Sequence, residues 1–350
     1  MKIFTLSGRP LFVLAIGPGR RLSLWPDAWP TGWLAAWLIA GLAAGFAGAL
    51  YAQDFPSRPI RLIVPIAPGG ALDGVARAVG PRLSEAIGQP VVIDNRALGS
   101  GIVGINQAAQ AEPDGYTLLM IFDSFVTNRW LFKSVQYDSE KDFAPITLVS
   151  RSPQVLLLHP DAGARTMKEF LALARSSGAG MDFATAGAAT SSRLSLELFK
   201  QTANLDLTAV HYRGGNKAII DLLGGQVKGM IVSISVAIPH VKRGKLIAIA
   251  LSSTKRAPLL PEVPLISDTF PGFEAQGWAG VLAPAATPRP VIDYLNAALR
   301  KTLAQAEVRE RLENQGYEVV ASTPEVFGDW IRTESSKWAR IIREQKITID

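Results

Sequence analysis

The chain of 350 residues contains no cysteine and only three histidines, and both deficits exclude whole classes of site. Without cysteine there is no disulfide, no thiolate metal centre and no N-terminal cysteine for a lipid anchor. The histidines, His159, His211 and His240, lie far apart and show none of the spacings typical of zinc ligands. We therefore expect neither a bound metal nor a cofactor.

Long runs of one charge are also missing. Lys and Arg number 36 against 30 Asp and Glu, and the basic residues neither cluster nor interleave with aromatic ones. We therefore expect no nucleic-acid partner. No Gly-x-Ser-x-Gly motif is present, so nothing signals a hydrolase, although one assembled from distant residues stays open as an alternative.

The N-terminal 52 residues have the pattern of a secretory signal peptide. Basic residues precede an uncharged run from Trp33 to Tyr51, and small residues come before Gln53. We expect cleavage near Ala52, with Ala47–Ala49 as a second candidate. An uncleaved anchor is the alternative, since the run is long enough to cross a bilayer. Removing residues 1–52 leaves 32 basic against 29 acidic groups and lowers the net charge from +6 to +3.

Beyond the signal peptide, short apolar runs alternate with helical patterns. The first predicted strands, Ile60–Pro65, Val91–Ile93 and Thr117–Phe122, are separated by the helical patterns Leu72–Ile87 and Ile102–Ala111. Strands that alternate with helices of this length predict an α/β fold with largely parallel sheets.

The same alternation continues towards the C-terminus. The later predicted strands are Ile146–Val149, Gln154–His159, Met181–Thr185, Leu207–Val210, Val227–Ser233, Leu246–Leu251 and Trp278–Leu282, and the helices are Thr166–Arg175, Ser192–Thr202 and Lys217–Leu223. Two more helices are predicted to close the chain. Each is opened by a Thr-Pro pair, Thr287-Pro288 or Thr323-Pro324, in which Thr is the N-cap and Pro the first helical residue.

One strand-to-helix connection, within Leu62–Asp73, has the features of an anion site. An apolar run ends at two prolines and the pair Gly69-Gly70, after which a helix begins. Backbone N–H groups of such a turn point to the same spot as the helix N-terminus, whose dipole adds positive charge. Asp73 stands where a carboxylate can cap free N–H groups. A carboxylate or phosphate is the predicted guest, and an ordinary connection is the alternative.

A second connection of the same kind lies within Phe183–Ser192. It contains Gly187 beside a free helix N-terminus, with four hydroxyl side chains. These are Thr185, Thr190, Ser191 and Ser192. A single hydroxyl is explained as a cap, whereas four predict a polar pocket wall. A capping cluster is the alternative.

Gly99–Gly104 matches the dinucleotide fingerprint G-x-G-x-x-G, and Asp123 ends the next strand, near the position of a ribose-binding acid. Gly99, the first glycine, comes five residues after Asp94, whereas the fingerprint turns tightly off its strand. We therefore reject a dinucleotide site.

Several further segments carry a family resemblance. They are Pro59–Pro65, Pro68–Asp73, Gly88–Val92, Asn95-Arg96, Pro113–Leu119, Ala186–Ser192, Leu222–Gln226, Pro239-His240, Gly244–Leu246 and Pro284–Pro288. Together they resemble the substrate-binding proteins of tripartite tricarboxylate transporters, the Bug (TctC) family. The motifs occur in family order and cover Phe55 to Asp350.

The resemblance implies a two-lobed, type II-like periplasmic binding protein, in which each lobe is a mainly parallel sheet flanked by helices. Lobe 1 would contain residues 53–150 and 280–350, lobe 2 residues 151–279, and a ligand cleft would lie between them. The expected ligand is a di- or tricarboxylate or an aromatic acid. The expected partners are the membrane subunits of such a transporter, and the protein is expected to be a periplasmic monomer without enzymatic activity. An orphan binding protein that serves a receptor is the alternative.

The resemblance also implies that the two loops hold the ligand carboxylate. The implied binding residues are Ala67, Gly69, Gly70, Asp73, Gly187, Thr190, Ser191 and Ser192. Ser124, Asn128, Tyr212 and Gly214 are expected near the cleft.

Some residues depart from the family pattern. Ala67, Ala71 and Leu72 replace the more usual Pro, Gly and Thr, and residues 228–233 lack two acids and an aromatic side chain. We therefore expect a less polar distal pocket.

Overall fold

The computed structural model describes residues 55–99, 101–177, 180–212 and 214–349. The predicted signal peptide lies outside these residues. Asp54–Asp350 forms one compact unit. Across the described ranges, no helix combines the length and the hydropathy needed to cross a membrane.

Strands and helices alternate along this unit. The strands are β1 (Ile60–Val64), β2 (Val91–Asn95), β3 (Thr117–Phe122), β4 (Phe143–Leu158), β5 (Met181–Thr185), β6 (Leu207–His211), β7 (Gly229–Ser233), β8 (Ile247–Leu251), β9 (Gln276–Pro284) and β10 (Glu318–Val319). The helices are α1 (Ala71–Ile87), α2 (Ile102–Ala109), α3 (Ser124–Leu131), α4 (Met167–Ser176), α5 (Ser191–Ala203), α6 (Gly215–Leu223), α7 (Ile234–Val241), α8 (Arg289–Leu303), α9 (Ala306–Glu313) and α10 (Pro324–Glu344). Short 3-10 helices occur at Pro160–Ala162 and Ile266–Asp268.

The strands pair in the order β2-β1-β3-β9-β4-β7-β5-β6, and β8 and β10 also pair with β4. In one half β1 is parallel to β2 and β3, and in the other half β5 is parallel to β6 and β7. The 16-residue β4 belongs to both halves, because its first part pairs with β9 and its last part with β7 and β8. The predicted lobe boundaries, after residues 150 and 279, fall inside β4 and β9. The two halves are therefore joined by continuous strands.

The C-terminal helix α10 contributes a large part of the core. Its sequence places apolar and aromatic residues at helical spacing, and such a stripe predicts packing. The buried members are Phe327, Ile331, Trp338, Ile341 and Ile342, while Trp330 is partly buried. Phe327 packs edge-on against Trp278 of β9, with ring centroids 5.7 Å apart. The stripe thus fixes α10 to the sheet.

The structure corrects several predicted elements. The two strands expected between Ile146 and His159 are one strand, because Ser152 and Pro153 still pair with β9 through Gly277 and Gln276. Helices α3 and α7 were not predicted, since each has only eight residues and little periodic signal.

The C-terminal region also differs in detail. Three helices close the chain instead of two, because α9 forms a separate helix after α8. Thr287 does not cap α8. Its hydroxyl donates to the carbonyl of Pro284 at 2.7 Å, and Pro288 is the N-cap. The second pair behaves as predicted, since Thr323 accepts from the N–H of Val326.

Candidate functional site

Asp73 is the buried anchor of the first loop. Its Oδ2 accepts from the Gly69 N–H and from Arg77 Nε, both at 2.8 Å, and its Oδ1 accepts from Asn95 Nδ2 at 3.0 Å. Burial favours the protonated form, but these hydrogen bonds outweigh it and lower the pKa of Asp73. Asp73 therefore shapes the loop from inside, and the N–H group that it caps is that of Gly69, in the turn just before α1.

The first loop is a tight turn that leaves the start of α1 open. Gly70 donates to the carbonyl of Ala67 at 3.2 Å, and Gly69 has φ +80°, a left-handed conformation that glycine adopts without strain. Gly70 is the N-cap of α1 and has no side chain with which to cap it. The first N–H groups of α1 are therefore available to a ligand.

The hydroxyls of the second loop have different roles. Ser192 is 2% exposed, and its Oγ accepts from the Ala186 N–H and donates to the carbonyl of Ile231. Thr190 donates to the carbonyl of Gly187 at 2.8 Å. Both hydroxyls thus hold the loop in shape, but neither caps α5, so the capping alternative is wrong for these two residues.

Thr185 is also engaged internally, since its Oγ1 lies 2.8 Å from Nδ1 of His211. Ser191 differs from the other three. It is the first residue of α5 and lines the cavity between the two loops. One of the four predicted wall hydroxyls therefore faces the cavity.

Two predicted residues support the second loop through their backbone. The N–H of Tyr212 donates to the backbone carbonyl of Thr185 at 3.1 Å, and the N–H of Gly214 donates to the backbone carbonyl of Ala186 at 2.9 Å. The Tyr212 hydroxyl donates to Asp221 Oδ2 at 2.8 Å. Burial, together with this carboxylate, raises the pKa of Tyr212 to about 12. Neither residue is in the cavity lining.

Two more predicted residues lie on α3. Ser124 is its first residue and donates its N–H to Asp123 Oδ1 at 2.9 Å. Asn128 is 1% exposed, and its Nδ2 has no partner in the described part of the chain. Both lie on the helix that Asp123 caps, but they are not part of the cavity lining either.

A cavity of about 80 Å³ lies where the two loops meet. The lining residues are Ala71, Phe122, Asp123, Ser152, Gln154, Ser191, Ser233, Gly277, Trp278 and Tyr317. Ala71 follows the first loop and Ser191 belongs to the second, so the structure brings the two predicted loops to one site. Most of the other lining residues were not predicted. From the sequence, Asp123 is connected only with the rejected dinucleotide site. Its position at the carboxyl end of β3 also predicts a residue that faces a binding site.

Four helix N-termini meet at this cavity. Ala71 and Ser191 begin α1 and α5, while Asp123 and Ser233 are the N-caps of α3 and α7. Within the described chain, only α3 among these four is capped by the side chain of its own N-cap residue. Helix N-termini carry partial positive charge and free N–H donors, and they therefore favour an anion. The described residues offer no cluster suited to a metal ion.

Asp123 is the one acidic side chain in the cavity lining. Burial raises its pKa to about 6, although the Ser191 hydroxyl and the Ser124 N–H oppose the shift. On α10, Glu334 raises the pKa further and Lys337 lowers it. Oδ2 of Asp123 is buried and has no hydrogen-bond partner among residues 55–349 as far as they are described. The cavity therefore holds an incompletely satisfied carboxyl group.

We expect Asp123→Asn to stabilise the ligand-free protein at neutral pH. The raised pKa means that the folded state binds a proton more tightly than the unfolded state, so stability falls as pH rises from about 4 to 6. A neutral amide removes this loss. The difference in free energy of unfolding between the variant and the wild type should be larger at pH 7.5 than at pH 4, by on the order of 2 kcal/mol. Urea unfolding at both pH values measures the gain, and an equal effect at both would contradict it.

An α/β fold of two sheet halves, with a cavity ringed by helix N-termini where their loops meet, defines a two-lobed binding protein. A sequence profile described as "Tripartite tricarboxylate transporter family receptor" (TctC) matches residues 75–347. The chain is 39% identical over 295 residues to the UPF0065 protein in the tcbD-tcbE intergenic region of Pseudomonas sp. (strain P51), an alignment that covers 84% of this chain and 88% of the relative. The chain belongs to the TctC/Bug family, as its motifs predicted.

Solved structures agree with this assignment. The periplasmic binding protein BugD is 31% identical, with a TM-score of 0.72 over 84% of this chain and 100% of its own. MatC from Rhodopseudomonas palustris, with bound malate, is 32% identical, with a TM-score of 0.70 over 82% and 100%. R. palustris Rpa4515 with adipate is 29% identical, with a TM-score of 0.75 over 85% and 100%. The two-lobed α/β fold is thereby confirmed, and the family consists of binding proteins.

Proposed function

We propose that this protein captures a small carboxylate in the cleft between its lobes and delivers it to the membrane subunits of a tripartite tricarboxylate transporter. The meeting of four helix N-termini at one cavity is the observation that carries the proposal. A carboxylate there accepts hydrogen bonds from free backbone N–H groups and interacts favourably with the helix dipoles. Malate and adipate, held by the related structures, are dicarboxylates, and we infer this class for the present cleft.

The proposal assigns residues 53–150 and 280–350 to lobe 1 and residues 151–279 to lobe 2. Ala71 then belongs to lobe 1 and Ser191 to lobe 2, and both line the cavity. A ligand that contacts both lobes stabilises the closed arrangement, so binding and closure are coupled. Bending of β4 and β9 would provide the hinge.

The proposed binding residues have distinct roles. The backbone of Ala67, Gly69 and Gly70 forms the first loop around Asp73. The second loop consists of Gly187, Thr190, Ser191 and Ser192. Ser191 contacts the ligand, Tyr212 and Gly214 support the second loop through their backbone N–H groups, and Ser124 donates its N–H to Asp123. The protein acts as a monomer in the periplasm, to which residues 1–52 direct it as a cleaved signal peptide.

A thermal-shift screen of ligand-free protein tests the binding function. A ligand that binds only the folded state raises its apparent stability, by about 2.7 kcal/mol at a concentration 100 times its Kd. We expect a saturable shift with one class among mono-, di- and tricarboxylates and aromatic acids. Folded, ligand-free protein that responds to none of them would refute carboxylate capture.

Serine substitutions in and next to the second loop locate the site. Ser191→Ala should weaken binding roughly tenfold, because it removes the cavity-facing hydroxyl while the fold stays intact. Ser192→Ala should lower the free energy of unfolding by about 1–3 kcal/mol, because the Ala186 N–H loses its acceptor. Calorimetric titration with the acid found in the screen, together with urea unfolding, separates the two effects.

Ser195→Ala is the matched control for both. It lies one turn further along α5, is 1% exposed, and its Oγ has no partner within the described residues. Removing the Ser195 hydroxyl should change neither the affinity for the ligand nor the free energy of unfolding appreciably. Unchanged affinity in Ser191→Ala would refute the placement of the ligand at this cavity.

Delivery to a transporter needs a separate test in cells. Deletion of the gene should abolish uptake of the radiolabelled acid identified in the screen, and the wild-type gene should restore it. Normal uptake in the deletion strain would favour the orphan alternative, in which the protein serves a receptor.

A further inference from the structure

One of the two carboxyl oxygens of Asp123 lacks a hydrogen-bond partner among the described residues. Its Oδ1 accepts the N–H of Ser124 at 2.9 Å, whereas Oδ2 is buried and lacks a partner in the part of the chain that the structure describes. The Ser191 hydroxyl on the opposite loop also interacts with this carboxyl group and lowers its pKa. A buried acceptor without a donor is costly, so a molecule that supplies the donor gains affinity at this position.

Gly277 of β9 leaves the space in which such a donor fits. A Cβ built on this residue would lie 3.7 Å from Asp123 Oδ2 and 3.4 Å from Gln154 Nε2, and both residues line the cavity. The bare Cα therefore opens a small volume with a carboxylate acceptor and an amide donor on its border. Gln154 is 2% exposed and its backbone is fixed by Ser252, which makes this pair a preformed feature.

The chemistry of the pair discriminates between ligand groups. A hydroxyl both donates and accepts, so it satisfies Oδ2 and Nε2 together. A second carboxylate would meet Asp123 with like charge, and a methylene would leave both protein groups unpaired. An ammonium would satisfy Oδ2 but would offer no acceptor to the Gln154 amide.

We propose that the ligand is a hydroxy-substituted carboxylate, whose hydroxyl donates to Asp123 Oδ2 and accepts from Gln154 Nε2. This inference rests on the proposed carboxylate-binding function. The helix N-termini hold the carboxylate, and the pair at Gly277 selects the substituent. Asp123 and Gln154 are thus specificity-determining residues.

Paired acids that differ by one hydroxyl test the proposal. Calorimetric titration compares malate with succinate and 2-hydroxyadipate with adipate, so that chain length is controlled. The hydroxy acid of the better-fitting pair should bind at least about tenfold more tightly, as expected for a hydrogen bond to a charged group. Aspartate and 2-aminoadipate serve as the ammonium counterparts.

Asp123→Asn is the matching variant. Its amide oxygen can still accept from Ser124, which places the NH2 group where Oδ2 was and turns an acceptor into a donor. The hydroxy preference should then fall to within about twofold. Asp293→Asn makes the same change at an exposed carboxylate paired with Arg289, and it should keep the wild-type preference.

The outcomes separate this proposal from the function on which it rests. Equal affinity for hydroxy and unsubstituted acids in the wild type would overturn it while carboxylate capture stands, and so would an unchanged preference in Asp123→Asn. Tighter binding of the amino acids would overturn it in favour of ammonium recognition. If none of the acids bound, carboxylate capture and the hydroxyl preference would both fail.

Discussion

Gly277→Ala should weaken ligand binding at least about tenfold while leaving the protein folded. The new methyl group would lie 3.4 Å from Gln154 Nε2 and 3.7 Å from Asp123 Oδ2, which are ordinary van der Waals distances that need no rearrangement. Gly277 has no left-handed backbone that would resist a side chain. The methyl group therefore occupies the cavity without disturbing the strand.

The cavity is small enough for one methyl group to matter. Its volume is about 80 Å³, and the filled space lies between the two side chains proposed to meet the ligand. We expect the Kd to rise by at least about tenfold, or ~1.4 kcal/mol. Calorimetric titration with the acid found by thermal shift measures the loss. Wild-type affinity in a variant with unchanged unfolding would show that the ligand binds elsewhere.

Local sequence patterns predicted the βα units and the two loops. Strands β3 and β5 have the predicted bounds, because turn residues on both sides interrupt each apolar run. The anion loops were predictable for the same reason, since glycine and hydroxyl residues follow strands at the point where a helix begins. The family resemblance then gave the two-lobed arrangement that local patterns do not contain.

The composition of the cavity was less predictable, because it depends on sheet register. Ser152 is opposite Gly277 in the pairing of β4 with β9, although more than a hundred residues separate them in sequence. This pairing brings Gln154 beside the bare glycine. Nothing local to either segment specifies that register, and so the specificity-determining pair appears only in the folded structure.

The second loop shows a similar limit. Ser191 and Ser192 are neighbours, and consecutive helical residues project about 100° apart around the axis. One lines the cavity, and the other is buried against the carbonyl of Ile231. The sequence predicted a polar loop, but it did not distinguish the hydroxyl that faces the cavity from those that hold the loop in shape.

Gly280→Ala, three residues further along β9, should have the opposite effect to Gly277→Ala. A Cβ at residue 280 would lie 2.1 Å from Cζ of Phe327, a fully buried ring that packs against Trp278. Because the ring is buried and packed, either the strand or α10 must shift. Overpacking of this kind should lower the free energy of unfolding by about 3 kcal/mol.

Urea unfolding of the two alanine variants compares the same substitution at two positions of one strand. We expect Gly277→Ala to unfold like the wild type and Gly280→Ala to unfold at a clearly lower urea concentration.

Adding Phe327→Leu to Gly280→Ala should recover part of the lost stability, because the smaller side chain makes room for the methyl group. In the wild-type background, Phe327→Leu should instead destabilise by leaving a cavity. The double variant should therefore be more stable than the sum of the two single changes predicts, by about 1 kcal/mol or more. Additive effects, or a Gly280→Ala variant as stable as the wild type, would contradict the close packing of α10 on β9.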